Sequence, residues 1–171
     1  MTNLEHLNLA PRDEALSALL TCCNSTRWAQ LMVEARPFSD LASLEETADR
    51  IWNELGPDDW LEAFAGHPKI GAREAERRQS TQSSQWSEQE QSGTQQAASK
   101  TLSALAEANI EYERRFGYIF IVCATGKSGD EMLALCQRRL NHEPENELSV
   151  AAEEQRQITR IRLRKLIGAT V

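Results

Sequence analysis

The chain contains 171 residues, a length that suits one compact domain with a hydrophobic core, and we expect residues 1–171 to form a single domain. Its 19 lysines and arginines against 26 aspartates and glutamates give a net charge of −7, which disfavours a nucleic-acid partner or an anionic membrane surface. No run is apolar enough to span a bilayer, and Met1 to Ala10 lacks the pattern of a signal peptide, so the sequence predicts a cytoplasmic protein that binds a small soluble molecule.

Apolar residues at helical spacing predict an all-α fold, a single-domain bundle of about seven to nine helices. The segment from Thr2 to Arg12 is predicted to be a polar lead-in, with the first helix starting near Asp13. Asn24-Ser25-Thr26 then ends that helix and offers an N-cap for the second. A third amphipathic helix is predicted to end at Gly56-Pro57.

A fourth helix, predicted to start at Asp58, leads into Gly66-His67-Pro68-Lys69-Ile70-Gly71. Pro68 fixes its own φ and moves His67 away from helical geometry, so the imidazole is expected on a stiff corner. Because an unperturbed imidazole exchanges protons near neutral pH, His67 is a candidate general acid or base. The alternative is an exposed turn histidine or a helix C-cap. The helix itself is predicted to bury Trp60, Leu61, Phe64 and Ala65.

The stretch from Glu74 to Gly93 is polar and rich in glutamine and serine, and its middle is predicted to be a loop or lid rather than a domain linker. Within it, Ser87-Glu88-Gln89-Glu90 has the S-x-x-E form of a capping box, which places a helix start at Ser87. Apolar residues at three- and four-residue spacing continue this helix as far as Gly117.

The most apolar run of the chain extends from Phe116 to Ala124. Its β-branched and aromatic residues favour a buried extended segment, yet the chain contains no comparable second strand. Backbone N–H and C=O groups in such a segment need partners from side chains, a helix end or a bound polar ligand. The alternative is a helix or connector that crosses the core.

The last helix is predicted to run from about Pro144 to Ile167, and Arg162 lies inside its buried arc. Lys165 lies inside it too, nearer one edge. A guanidinium on a buried face needs a partner, for which the candidates are an anionic substrate, an acidic side chain or solvent reached by snorkelling. The arginines outside the arc are predicted to be solvated; they are Arg156, Arg160 and Arg164.

Cysteine and histidine spacing supports neither a disulfide framework nor a metal site. The four cysteines include no C-x-x-C pair, and the three histidines lie far apart in the sequence. We therefore expect no metal, and we expect reduced cysteines that serve as small core residues. The cysteines are Cys22, Cys23, Cys123 and Cys136.

Together these segments resemble the decarboxylases that act on 2-oxo-4-hydroxy-4-carboxy-5-ureidoimidazoline (OHCU), late in urate breakdown. The resemblance covers nearly the whole chain. Its implied properties are an all-helical fold, often dimeric, and conversion of OHCU to (S)-allantoin and carbon dioxide without a metal or organic cofactor. The segments that carry it are Arg36-Pro37-Phe38, His67-Pro68, the Ser87-x-x-Glu90-Gln91 element, the run from Phe116 to Ala124, and Ile158 to Leu163.

The same resemblance implies roles for individual residues. His67 is the expected proton-handling group, and Glu90 orients the imidazole or a substrate N–H. Arg162 meets the substrate carboxylate, while Ser87 and Gln91 bind ring or ureido groups. The remaining expected substrate-binding residues line the pocket, with the apolar segment contributing backbone atoms that pair with the ring; they are Pro68, Phe120, Ile121, Val122, Cys123 and Ala124.

Two features depart from the family pattern. Lys69 stands where many relatives carry an acidic residue, which alters the expected charge at the rim. The loop before Ser87 is a few residues longer than usual, so Glu88-Gln89 competes with Glu90-Gln91. We choose Glu90-Gln91 because only that register places a serine three residues before the glutamate.

Two other classes of function remain open at the sequence level. Amphipathic helices and polar loops also make non-catalytic helical interaction modules, in which His67 would be an ordinary turn residue. A thiol enzyme using Cys123 beside His67 ranks last, because apolar surroundings raise the pKa of a thiol and keep it inert.

Overall fold

The computed structural model describes residues 1–68 and 92–170, with the side chains of the helix that begins at Ser92 described from Ala98 onward. These ranges contain no strand, which confirms the predicted all-α class, and their eight helices agree with the predicted seven to nine. The eight helices within the described ranges are α1 (Asn3–Leu9), α2 (Arg12–Cys22), α3 (Thr26–Glu34), α4 (Leu41–Glu54), α5 (Pro57–Ala65), α6 (Ser92–Phe116), α7 (Gly129–Arg139) and α8 (Pro144–Leu166). Over the same ranges, no helix has both the length and the apolar character that crossing a bilayer requires.

Helix α1 corrects the prediction that Thr2 to Arg12 is only a lead-in. Thr2 accepts a hydrogen bond from the Glu5 backbone N–H, and the Glu5 carboxylate accepts one from the Thr2 N–H, which makes a complete capping box. The T-x-x-E pattern was therefore present in the sequence, but Leu7 is the one buried residue of this short helix. A single buried side chain is too little to produce a visible helical periodicity.

The described chain divides into two compact units, Met1–His67 with Leu148–Val171, and Pro68–Glu147. Two buried tryptophans tie together the helices of the first unit. The Trp28 indole in α3 donates to the Ala48 carbonyl of α4 at 3.2 Å, and the Trp52 indole in α4 donates to the Ala152 carbonyl of α8 at 2.9 Å. Each tryptophan thus buries a large apolar surface and satisfies its one polar atom.

Helix α5 buries a narrower face than the sequence predicted. Phe64 is fully buried, but Leu61 is 38% exposed and Ala65 is exposed as well. Trp60 lies at the edge of the face, where its indole donates to the Trp52 carbonyl at 3.3 Å. The prediction for Leu61 and Ala65 was wrong because they lie about 60° and about 100° beyond Phe64 around the helix, outside the buried arc between Ala63 and Phe64.

In the second unit, α6 and α7 pack around a segment of residues 117–128 that is neither helix nor strand. Gly117 ends α6 with a φ of 83°, a conformation that favours glycine. The segment contributes Phe120 and Val122 to the core formed with Leu105, Tyr112 and Cys136. This confirms that the apolar run is not another helix.

Two carbonyls of that segment find side-chain partners, one of the options expected for an extended run without a sheet. Arg139 Nη1 donates to the Ile121 carbonyl at 2.7 Å, and Lys127 Nζ donates to the Cys123 carbonyl at 2.8 Å. Arg139 is itself held by the fully buried carboxylate of Glu147, to which its Nε donates at 2.6 Å. The segment is therefore tied to a buried ion pair.

Candidate active site

The imidazole of His67 follows directly on the last turn of α5. The Gly66 N–H donates to the Ala63 carbonyl and the His67 N–H donates to the Phe64 carbonyl, both at 3.2 Å. These bonds carry the helical turn through to His67 and fix where its side chain leaves the backbone. His67 is partly buried, while Pro68 is exposed.

Gly66 allows the chain to pass close to the junction between α2 and α3. A Cβ atom added at Gly66 would lie 2.5 Å from the Cβ of Asn24, well inside van der Waals contact. The φ of Gly66 is −78°, so glycine is needed here for space and not for an unusual backbone conformation. This close approach sets the position of the neighbouring imidazole.

We expect Gly66→Ala to lower the free energy of unfolding by about 1–3 kcal/mol, the usual cost of overpacking. Chemical denaturation of the variant and the wild type measures the difference. The added Cβ would also lie 2.7 Å from Cγ and from Nδ2 of Asn24, so Asn24→Ala should relieve only part of the clash, whereas Asn24→Gly also removes the Cβ and should restore more of the lost stability. Equal behaviour of the two double variants would contradict the contact.

The Nε2 atom of His67 lies 2.5 Å from Oε1 of Gln155 in α8. Gln155 is fully buried and also reaches Thr159 one turn later, with Nε2 at 3.1 Å from the threonine Oγ1. The Thr159 hydroxyl in turn lies 2.9 Å from the Gln155 backbone carbonyl. The sequence reading identified neither Gln155 nor Thr159.

Arg162 approaches the other ring nitrogen of His67. Its Nη2 lies 3.5 Å from Nδ1, and its Nη1 lies 3.5 Å from the Thr21 carbonyl. Both distances are at the long limit for a hydrogen bond, and within residues 1–68 and 92–170 no carboxylate forms an ion pair with this guanidinium. The structure thus brings His67 and Arg162 together, and it leaves N–H donors of the guanidinium without a partner among the described residues.

The neighbouring arginines of α8 behave differently and correct the prediction that they are merely solvated. Arg156 and Arg160 both reach Asp49, at 2.8 and 2.7 Å, and Arg164 reaches Glu45 at 2.6 Å. These acidic partners lie on α4, more than a hundred residues away in the sequence. Lys165 is exposed, so its predicted place in the buried arc was wrong.

The environment of His67 favours its neutral form. Burial lowers the pKa of the imidazole from its ordinary value of 6.5, and the positive charge of Arg162 lowers it further, while the hydrogen bond to Gln155 acts in the opposite direction. The net direction is downward. A neutral imidazole at physiological pH has one nitrogen free to accept a proton.

This pKa shift predicts how stability depends on pH. The unfolded chain binds a proton at His67 below pH 6.5 and the folded chain resists binding it, so the contribution of His67 is fully present above pH 6.5. It is lost as pH falls through the lower pKa of the folded state. We therefore expect His67→Gln to lose less unfolding free energy than the wild type between about pH 8 and about pH 5. Urea unfolding at both pH values measures this, and equal losses would contradict the shift.

Several predicted site residues fall in other parts of the chain. Ile121, Val122 and Cys123 are buried in the second unit with Phe120, and Ala124 is exposed. Other residues singled out in the sequence lie outside the described ranges, as does the predicted helix start at Ser87; they are Lys69, Ser87, Glu88, Gln89, Glu90 and Gln91.

The four cysteines are buried and reduced, as predicted. In the first unit, burial raises the pKa of Cys22 to about 11 and that of Cys23 to about 12. Such thiols stay protonated at neutral pH and are poor nucleophiles. In the described ranges no group of three or more histidine, cysteine, aspartate or glutamate side chains is arranged to hold a metal ion.

The described residues form an all-α protein in which the Arg162 guanidinium lies beside a partly buried histidine. Comparisons with known proteins identify its family. Residues 8–164 match the family model described as OHCU decarboxylase. The chain is 30% identical over 142 residues to a mouse 2-oxo-4-hydroxy-4-carboxy-5-ureidoimidazoline decarboxylase, covering 83% of this chain and 76% of the relative.

Further matches extend the same relationship. A bifunctional uric acid degradation protein from Arabidopsis thaliana is 34% identical over 147 residues, which cover 86% of this chain but only 45% of that longer protein. A crystal structure of an OHCU decarboxylase determined in the presence of (S)-allantoin has a TM-score of 0.69 and 35% identity, covering 87% of this chain and 96% of that one. The chain belongs to the OHCU decarboxylase family.

Proposed function

We propose that this chain is a carboxy-lyase that converts OHCU to (S)-allantoin and carbon dioxide in urate degradation, with His67 handling the protons. Family membership supports the reaction. The observation that supports the role of His67 is its place between Gln155 and Arg162, partly buried and with a lowered pKa. A rigid, neutral imidazole beside a cation is suited to proton transfer on an anionic substrate.

The substrate carries its own electron sink. Its carboxylate and a hydroxyl share one ring carbon, which neighbours a C=N bond. When the C–C bond to the carboxylate breaks, the electron pair forms a double bond to the neighbouring carbon, and the C=N electrons move onto nitrogen, which takes a proton. The resulting enol loses its hydroxyl proton while the neighbouring carbon gains one, giving the carbonyl and the new stereocentre of allantoin. This sequence requires no metal or organic cofactor.

His67 serves both halves of the final proton exchange. As a neutral base it accepts the hydroxyl proton, and as an imidazolium it donates to the neighbouring carbon. Its lowered pKa suits this cycle, because burial and Arg162 make the imidazolium a stronger acid than free histidine. Delivery of this proton from one fixed side of the substrate ring would give one enantiomer of allantoin.

Arg162 binds the departing carboxylate in this proposal. Its guanidinium has no carboxylate partner in the described part of the chain and lies 3.5 Å from the imidazole. The charge on the carboxylate disappears when carbon dioxide leaves. A cation that binds this carboxylate too tightly would therefore stabilise the ground state more than the transition state and slow the reaction. The long contacts of Arg162 are compatible with a cation that orients the substrate carboxylate without binding it tightly.

The remaining assignments rest on the resemblance to the family. Glu90 orients the imidazole or a substrate N–H, Ser87 and Gln91 bind ring or ureido groups, and Pro68 contacts the substrate beside His67. Backbone atoms of Phe120 to Ala124 pair with the ring. We also propose that residues 1–171 act as one catalytic domain, and that the protein is a homodimer in the cytoplasm.

The activity can be tested by making the labile substrate in place from urate with urate oxidase and a hydrolase, then following allantoin by circular dichroism. We expect optically active allantoin to appear faster than in the same mixture without the chain. A rate equal to spontaneous decay, with no optical activity, would contradict the enzymatic assignment and favour a helical interaction module.

A further inference from the structure

We propose that Gln155 and Thr159 are positioning residues that fix the tautomer of His67, so that Nε2 carries the hydrogen and Nδ1 presents the reactive lone pair. The inference deepens the proposed function and rests on it for the catalytic role of Nδ1. The tautomer itself follows from hydrogen-bond geometry within the first unit.

The Thr159 hydroxyl determines which way the Gln155 amide faces. A backbone carbonyl can only accept, so the hydroxyl 2.9 Å from the Gln155 carbonyl uses its single hydrogen there. Toward the Gln155 side chain, 3.1 Å away, the hydroxyl oxygen is left as an acceptor. The NH₂ group must therefore face Thr159, and Oε1 must face His67.

The amide orientation then determines the imidazole tautomer. Oε1 of Gln155 cannot donate, so the 2.5 Å contact requires a hydrogen on Nε2 of His67. The opposite tautomer would place two lone pairs against each other in a buried site, where Gln155 is 0% and Thr159 5% exposed. In neutral His67 the second nitrogen, Nδ1, keeps its lone pair.

Arg162 supports the same assignment independently. A guanidinium only donates, and its Nη2 lies 3.5 Å from Nδ1, which suits a lone pair there and disfavours an N–H. The reactive nitrogen therefore lies on the Arg162 side of the ring. This matches the substrate, in which the carboxylate that Arg162 would bind and the hydroxyl that Nδ1 would deprotonate share one carbon.

Nitrogen-15 NMR of the imidazole tests the tautomer without any substrate. In the wild type above neutral pH we expect a hydrogen on Nε2 and none on Nδ1. Thr159→Val removes the hydroxyl and keeps the shape, so we expect both tautomers to be populated, whereas Thr159→Ser should keep the wild-type pattern. A hydrogen on Nδ1 in the wild type would overturn the proposal, as would an unchanged spectrum in Thr159→Val.

Kinetics then separate positioning from simple structural support. We expect Thr159→Val and Gln155→Leu to lower kcat by roughly tenfold, about the value of one lost hydrogen bond, with KM nearly unchanged. Gln155→Glu keeps an acceptor against Nε2, so it should keep the tautomer even if Gln155→Leu folds poorly. Gln157→Leu, on the same helix, is the matched control and should have no effect.

The NMR and kinetic measurements distinguish failure of the proposed function from failure of the positioning role. A fixed Nε2–H tautomer in a chain without decarboxylase activity would refute the proposed function and leave the tautomer assignment intact. Full activity in Thr159→Val with a mixed tautomer would refute the positioning role and leave the enzyme class intact.

Discussion

Replacing His67 by glutamine should lower kcat/KM for decarboxylation by about 10²- to 10⁴-fold, the range that general acid–base groups supply. Glutamine retains polarity and can still bond to Gln155, but it cannot exchange a proton near neutral pH. The loss should appear in kcat, because the imidazole acts on the reacting atoms rather than on ground-state binding. The formation of optically active allantoin measures it.

The matched control is His6→Gln. His6 is 65% exposed in its side chain and pairs with Glu14 on the surface of the first unit, so its replacement should leave kcat/KM within about twofold of the wild type. Circular dichroism and thermal unfolding establish that both variants are folded. Activity of His67→Gln close to that of the wild type would remove His67 from the proton transfer while leaving the enzyme class standing.

Replacing Glu147 by alanine should lower the free energy of unfolding by about 3–5 kcal/mol, the usual cost of removing one partner from a buried ion pair. The Glu147 carboxylate is fully buried and accepts hydrogen bonds from Arg139 and from the Tyr112 hydroxyl, and it contacts the His142 ring at 2.8 Å. Its loss would strand the Arg139 guanidinium, which is only 5% exposed. Urea unfolding of the variant measures the effect.

Two further variants show whether the loss comes from the stranded charge. Glu107→Ala removes an exposed glutamate from α6 and should change stability by less than about 0.5 kcal/mol. The double replacement Arg139→Met with Glu147→Leu removes both charges, so it should be more stable than Glu147→Ala alone. A Glu147→Ala variant as stable as the wild type would show that the pair contributes little.

Arg139 and Glu147 also illustrate what the sequence could not predict. Arg139 is one of two adjacent arginines at the end of α7, and Glu147 stands in the first turn of α8, positions where charges usually complement a helix dipole at the surface. Their pairing depends on how these helices pack with Tyr112 of α6. No local pattern distinguishes a buried pair of this kind from solvated charges.

The helices were more predictable because periodicity and capping are local. The last helix was expected from about Pro144 to Ile167 and is observed over Pro144–Leu166. The N-cap expected at Asn24-Ser25-Thr26 is Ser25, whose side chain accepts from the Trp28 N–H. Helix α1 was missed because its signal is a short capping box with a single buried leucine.

The sequence indicated only two of the four residues in this cluster. His67 stood out beside Pro68, and Arg162 stood out as a charge in a buried arc, but Gln155 and Thr159 resemble ordinary polar helix residues. A usable signal did exist. Residues seven apart return to within about 20° on a helix, so the arc that contains Arg162 also contains Gln155. Its partner His67 is 88 residues away in the sequence, so the contact itself required the fold.

The dependence of kcat/KM on pH tests the central claim most directly, that a neutral His67 of lowered pKa carries the proton. For the free enzyme we expect activity to fall on the acid side with an apparent pKa below 6.5, since burial and Arg162, the charged group that contributes among the described residues, both disfavour the imidazolium. His67→Gln should lack this acid limb. An acid limb centred above pH 6.5, or one that persists in His67→Gln, would contradict the account.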